Sequence, residues 1–160
     1  MITGHLSSRQ VSRVIYGAII GLALVVALQA HPPPTGAVIA TLLGTAVAVA
    51  LAEVYSELVG FETVRRRHVT SAERESLTAD AAAVAIGVGF PSVFFLLALV
   101  GVLDDEAAFT IARWSGLGVL GLYGFAGARL TGSNFLGALL KGGGVALIGA
   151  ALIGLKALVH

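Results

Sequence analysis

The sequence predicts an all-α membrane protein, in which 160 residues form a single transmembrane domain folded as a five-helix bundle. Two observations carry this fold class. First, 57% of the residues are hydrophobic and 12% are charged, whereas soluble domains carry about a quarter charged residues. Second, the apolar residues form five segments of about 20 residues, the length that crosses a bilayer as an α-helix. None of these segments alternates polar and apolar residues as the strands of a membrane β-barrel do.

Helix-breaking or polar residues separate the five predicted spans. The spans cover about 14–30, 36–61, 79–103, 109–130 and 135–158. The first ends at the three prolines of 32–34, because proline cannot continue a helix. The third contains Pro91, where we expect a kink, and the acidic turn 104–106 closes it. The turn 131–134 separates the fourth span from the fifth.

The basic residues predict the orientation in the membrane. Eight of the ten Lys and Arg residues fall on one side when the spans are counted in alternation: Arg9, Arg13, Arg65, Arg66, Arg67, Arg74, Arg129 and Lys141. Arg113 and Lys156 fall nearer the other side. Because basic residues are enriched in cytoplasmic loops, we expect a cytoplasmic N-terminus and an outside C-terminus. This pattern, without a presequence, is typical of a protein of the bacterial plasma membrane.

The polar stretch between the second and third spans contains a helix start signal. Residues 70–73 read Thr-Ser-Ala-Glu, which fits a capping box. We therefore expect a short cytoplasmic helix to begin there and to lead into the third span.

The 21 glycines predict close contact between helices, because small residues let helix backbones approach each other within lipid. Two sets are regular in spacing: Gly17 and Gly21 in the first span, and Gly118, Gly121, Gly124 and Gly127 in the fourth. The run 142–144 lacks the spacing and the preceding strand of a phosphate loop, so we assign it to helix packing or a local break.

Two acids lie within the second predicted span. Glu53 and Glu57 are the only charged residues of 36–61, and their spacing of four places both on one helix face. A charge at the bilayer centre costs at least ~2.5 kcal/mol on insertion scales. An intramembrane acid is for this reason a functional-site hypothesis by default.

Three stretches, taken in order, resemble one family of transporters: 17–22 (Gly-Ala-Ile-Ile-Gly-Leu), 50–56 (Ala-Leu-Ala-Glu-Val-Tyr-Ser) and 127–132 (Gly-Ala-Arg-Leu-Thr-Gly). A further run, 89–91 (Gly-Phe-Pro), resembles the same family more loosely. Together they resemble the vacuolar iron transporter family, whose members have five spans and exchange divalent iron or manganese for protons. The resemblance covers most of the chain. It implies the same fold, a divalent cation as substrate, and a homodimer with the first span at the two-fold axis, where Gly17 and Gly21 would fit.

The chain departs from this family at three places. The family's first-span aspartate and its neighbouring asparagine fall on Ile20 and Ile19, and its second-span methionine falls on Val49. The family's cytoplasmic metal-binding helices would lie where this chain has only the seventeen residues of 62–78. The resemblance therefore implies the fold and the second-span glutamate, Glu53, without the rest of the family's metal route.

The first functional hypothesis is proton-coupled transport of a divalent cation. Glu53 would act as a proton acceptor or an oxygen ligand, with Glu57 as a second metal ligand and Tyr16 lining the pathway. The alternatives are that Glu53 hydrogen-bonds Tyr16 or Ser56, or stays protonated between helices. Glu57 lies one turn nearer the interface, where it can snorkel or pair with an arginine.

The second hypothesis is a non-transporting membrane protein, structural or partner-binding, that kept the fold and lost the metal site. A third possibility, a small oligomeric channel, would need a stripe of polar residues along one span. Only the second span contains the beginning of such a stripe. An enzyme is not expected, because the sequence shows no serine, histidine and acid arrangement and no nucleotide loop. It shows no nucleic-acid signature either. There are no cysteines for disulfides or thiolate metal sites, so no cofactor is expected beyond a divalent cation as substrate.

Overall fold

The computed structural model describes residues 2–144, 147 and 151, with side chains from residue 11 onward. Its helices are α1 (Ile2–Leu28), α2 (Thr35–Arg65), α3 (Ser71–Gly89), α4 (Ser92–Leu99), α5 (Asp105–Leu130) and α6, helical over 135–144. All regular structure in these ranges is helical, so the predicted all-α class is confirmed. The rest of the fifth predicted span, apart from residues 147 and 151, lies outside the described residues.

The first two helices are longer than their predicted spans. α1 begins at Ile2 rather than near residue 14, so that Arg13 lies on the helix instead of before it. α2 has 31 residues, which at 1.5 Å per residue is about 47 Å. A bilayer core is only ~30 Å thick, so a straight α2 carries its last turns beyond the apolar layer.

The turn between α2 and α3 forms as the capping signal predicts. α2 ends where Arg66 adopts a left-handed conformation with a φ of 49°. The Thr70 backbone N–H then donates to Glu73 Oε2 at 2.9 Å, and the Glu73 N–H donates back to Thr70 Oγ1 at 3.4 Å. This capping box begins α3, which runs into the third span without interruption.

The third predicted span breaks at Pro91, as expected. α3 ends at Gly89, α4 begins at Ser92, and the two axes are bent by 49°. Proline has no N–H to donate within a helix. At the break Ser92 Oγ donates to the carbonyl of Gly89 at 2.6 Å, which satisfies one of the backbone acceptors there.

α1 lies at the centre of the bundle, packed mainly against α3 and α5 and only sparsely against α2. Gly17 and Gly21 face α3 across the closest approach. A Cβ on Gly17 would lie 2.2 Å from the carbonyl oxygen of Val84, and one on Gly21 would lie 2.8 Å from that of Val88. Gly17 and Gly21 therefore pack against α3 of the same chain. The helix face on which the homodimer contact was expected is covered by α3.

The four glycines of α5 do not share one face. Gly127 approaches Val11 of α1, and the carbonyl of Gly121 lies 2.8 Å from where a Cβ on Gly142 of α6 would be, whereas Gly118 meets open space. A spacing of three drifts by about 60° per step around a helix of 3.6 residues per turn. The regular spacing therefore distributes these glycines among several neighbours.

Within the described residues, α1 and α2 are long and apolar enough to cross a membrane. α3 and α4 add a third span if the bent pair counts as one. α5 is not among these helices, since Arg113, Arg129 and its glycines lower its mean hydropathy. Large apolar side chains on α2, such as Leu51 and Tyr55, are about two-thirds exposed, as on a helix that faces lipid.

Candidate functional site

Arg13 of α1 joins the two glutamates of α2. Its Nη1 donates to Glu53 Oε1 and its Nη2 donates to Glu57 Oε1, so each terminal nitrogen serves a different carboxylate. The spacing of four in α2 presents the carboxylates one turn apart on one face, and the planar fork of a guanidinium can contact both at once. Pairing with an arginine, the alternative considered for Glu57, is observed for both acids.

This ion pair is partly buried, with side-chain exposures of 25% for Arg13, 16% for Glu53 and 22% for Glu57. When all three groups are ionised, they carry one excess negative charge. Partial removal from water strengthens the attraction between these groups. It also raises the cost of removing one of them, because the remaining charge would be poorly compensated.

Tyr16 is not brought to the carboxylates. Its side chain is 50% exposed, and the contacts to Glu53 and Glu57 from α1 are made by Arg13 instead. Ser56 is likewise on the exposed side of α2. Glu53 is held by Arg13 rather than by Tyr16 or Ser56, and the pathway role predicted for Tyr16 gains no contact in its support.

A cleft of about 450 Å³ opens between the last turns of α2 and the first turns of α3. We call it the loop-side cleft. Its lining residues are Glu57, Gly60, Phe61, Arg65, Glu73, Ser76 and Leu77. Glu57 belongs both to this cleft and to the ion pair with Arg13. The cleft therefore leads from the α2–α3 turn to Glu57, one of the two carboxylates that Arg13 contacts.

Glu73 organises the outer rim of the loop-side cleft. Arg67 donates to its two oxygens at 2.9 and 2.7 Å, and Arg65 Nη1 lies 3.6 Å from Oε1. The hydrogen bonds from Arg67, and then those from Thr70, lower the pKa of Glu73 from 4.5 to about 2, and the same carboxylate raises the pKa of Arg67. The Arg65 and Arg67 guanidiniums lie 4.5 and 5.3 Å from the centroid of the Phe61 ring.

His68 and Glu62, near the same turn, pair with each other. His68 Nδ1 lies 3.0 Å from Glu62 Oε1, in an exposed position. Among the described residues, no group of three His, Cys, Asp or Glu side chains lies close enough to hold a metal ion. The metal assignment of Glu53 and Glu57 thus concerns two carboxylates that a guanidinium already contacts.

Asp80 is a buried acid that the sequence reasoning missed. It is 4% exposed on α3. Gly17 of α1 contacts Val84 of α3. Arg13 lies four residues before Gly17, and Asp80 lies four residues before Val84. Because Gly21 then meets Val88, α1 and α3 run in parallel, and Asp80 lies level with Arg13. The signal was present, since Asp80 falls within the third predicted span, where an acid should have raised the same hypothesis as Glu53.

The arrangement as a whole places an arginine, a carboxylate pair and a buried aspartate at one level of three helices, with an open cleft leading to Glu57. Carboxylates in such a position can accept protons or hold a hard cation, and the guanidinium supplies a permanent positive charge. The likeness to the vacuolar iron transporters stays a prediction from motifs. No protein-family model, curated protein or solved structure matches this chain.

Proposed function

We propose that the chain is an integral membrane protein that moves divalent cations, with protons as the coupling ion, through Glu53 and Glu57. One observation carries the proposal: Glu57 lines the loop-side cleft and is joined through Arg13 to Glu53, one turn deeper along α2. A cation or proton that enters the cleft meets Glu57 first and Glu53 next. The distribution of basic residues supports a cytoplasmic location for the cleft, in a bacterial plasma membrane.

Charge and accessibility support this assignment. Both carboxylates are mostly withdrawn from water, and Glu57 also lines an open cleft. Ionisable side chains so placed within membrane helices mark ion or proton routes. Hard divalent cations such as Mn²⁺ favour carboxylate and water oxygens as ligands. The motif resemblance to iron and manganese transporters points to the same substrate class.

Proteoliposome flux tests the proposal. We expect the wild-type protein to carry Mn²⁺ or Fe²⁺ down a concentration gradient, with a rate that responds to an imposed pH gradient. Glu53→Gln should reduce the rate to that of protein-free liposomes. Glu62→Gln is the matched control, because Glu62 lies on the same helix but pairs with the exposed His68. Equal flux through the wild type and Glu53→Gln would overturn the proposal.

A second candidate is a structural membrane protein in which the ion pair only fastens helices. It is favoured by the small number of close backbone approaches between α1 and α2, to which the contacts of Arg13 add a polar link. Under this alternative Glu53→Gln lowers the unfolding temperature, while the wild type shows no flux above empty liposomes. The two candidates therefore differ in the behaviour of the wild-type protein itself.

We further propose a homodimer, with the contact placed on α2, because α3 covers Gly17 and Gly21. Small residues recur at every fourth position on the exposed face of α2: Gly36, Ala40, Gly44, Ala48, Ala52, Ser56 and Gly60. Such spacing supports close, right-handed packing of two helices in a membrane.

A further inference from the structure

The acid pair on α2 already holds a cation that belongs to the chain. The two ends of the Arg13 guanidinium contact different carboxylates, so Glu53 and Glu57 together form one binding site for a single positive group. Arginine stays protonated in proteins at all ordinary pH values. A proton can therefore leave or join the carboxylates, but the positive charge of Arg13 can leave this site only if the side chain moves.

The loop-side cleft reaches Glu57, and Arg13 is not among the residues that line it. Glu57 lines the loop-side cleft, and a quarter of the Arg13 side chain is exposed. Arginine has a long, flexible stem that allows its charged end to move while the helix stays in place. The carboxylates are fixed to one face of α2 by their spacing, and so they remain paired when the guanidinium withdraws.

We propose that Arg13 is a tethered counter-cation, which an incoming divalent cation displaces from Glu53 and Glu57 and which returns when that cation leaves. This inference rests on the proposed function and adds its exchange step. The divalent cation takes one oxygen or more from each carboxylate and completes its coordination with water from the cleft. Arg13 thereby prevents the paired acids from being left uncompensated, and it limits how tightly the cation is held.

Arginine footprinting of the wild-type protein gives a direct test. In lipid nanodiscs, phenylglyoxal modifies exposed guanidiniums, and peptide mass spectrometry reports the rate at each arginine. We expect Mn²⁺ to increase the modification rate of Arg13 severalfold, because displacement frees its nitrogens. Arg113 is the internal control, since its guanidinium lies on α5 against Gln29 and should not respond. An Arg13 rate that does not change at Mn²⁺ concentrations that saturate binding would overturn the inference.

Binding of Mn²⁺, followed by electron paramagnetic resonance, gives the second test. Arg13→Gln removes the competitor and should tighten Mn²⁺ binding about tenfold or more, because a unit charge within contact distance is lost. Arg13→Lys should give an intermediate affinity, since an ammonium acts as a point charge without the fork geometry. Arg13→Lys also tests the inference on its own if Arg13→Gln fails to fold. Unchanged affinity in both variants would exclude competition by Arg13.

The outcomes separate this inference from the transport proposal. Suppose that Mn²⁺ changes the modification rate of Arg13 and that the Arg13 variants change the Mn²⁺ affinity, while proteoliposomes show no flux. This result would support the exchange at the acid pair and count against transport. Flux that depends on Glu53, without any response of Arg13 to Mn²⁺, would support transport and overturn the exchange. If Mn²⁺ binding in Arg13→Gln persists after Glu53→Gln is added, the cation binds elsewhere and the inference is wrong.

Discussion

At the scale of single residues, the contact between α1 and α3 depends on the missing side chain of Gly17. A Cβ there would lie 2.2 Å from the carbonyl oxygen of Val84, a backbone atom that cannot move away without shifting the helix. Gly17→Ala should therefore separate the two helices and destabilise the fold by about 1–3 kcal/mol, as overpacking does in protein cores. Thermal unfolding in detergent micelles measures the effect.

Gly118→Ala is the matched control for this substitution. Gly118 lies within α5, outside the proposed contact between copies, and a Cβ added to it would have no atom of another side chain or helix within 4 Å, so the methyl group meets open space. Alanine also favours the helix over glycine by roughly 1 kcal/mol. Equal losses of stability in the two variants would show that the approach of α1 to α3 is not the determining contact.

The residues of the ion pair show where sequence reasoning ends. Glu53 and Glu57 could be selected as candidates, because an acid in an apolar helix carries a known cost. Their partner could not be identified, since Arg13 lies 40 and 44 residues away and reaches them only through the fold. Arg13 was assigned to the segment before the first span, whereas α1 extends through it. Asp80 could have been found by the rule that selected the glutamates.

At the scale of secondary-structure elements, Glu73 fastens the start of α3 to the end of α2. Its hydrogen bonds with Arg67 and Thr70 lower its pKa from 4.5 to about 2. A depressed carboxylate pKa stabilises the folded state fully above the unfolded value of about 4.5, and this stabilisation is lost as the pH falls toward 2. The stability difference between wild type and Glu73→Gln should thus be constant from pH 8 to about 5 and disappear toward pH 2.

Denaturation midpoints measured across this pH range check the prediction, with Glu75→Gln as the control. Glu75 is an exposed neighbour on α3 that does not take part in the capping box. Its substitution should leave the pH dependence of stability unchanged. If the difference between wild type and Glu73→Gln instead grew as the pH fell from 5 to 2, the assigned contacts of Glu73 would be wrong.

The elements themselves could be predicted wherever a local signal determines them. The prolines at 32–34, the capping box and the break at Pro91 act through their own backbone or immediate neighbours, and all three are observed. Helix packing depends on which faces meet, and this is not a local property. The glycines of α5 show the difference, because their spacing was visible while the distinct surroundings of Gly118 and Gly127 were not.

At the scale of the whole molecule, α2 presents a long apolar face that no other part of the described chain covers. Small residues at every fourth position form a groove, and large exposed side chains form a parallel ridge beside it: Leu43, Val47, Leu51, Tyr55 and Val59. The two charged residues within the span, Glu53 and Glu57, point the other way, toward Arg13. Two copies of α2 can therefore approach without charge repulsion, with the ridge of each against the groove of the other.

Substitution of leucine for small residues on this face tests the proposed homodimer. Gly44→Leu combined with Ala52→Leu fills the groove and should convert a dimer into a monomer, as measured by light scattering in detergent or by single-molecule photobleaching in bilayers. Gly118→Leu is the matched control, because Gly118 also faces open space on a long helix but lies on α5. It should leave the dimer intact. Both variants should keep the helical content of the wild type, since the substituted positions lie on exposed helix faces. A wild type that is monomeric in bilayers, or a double variant that remains dimeric, would remove α2 as the contact between copies.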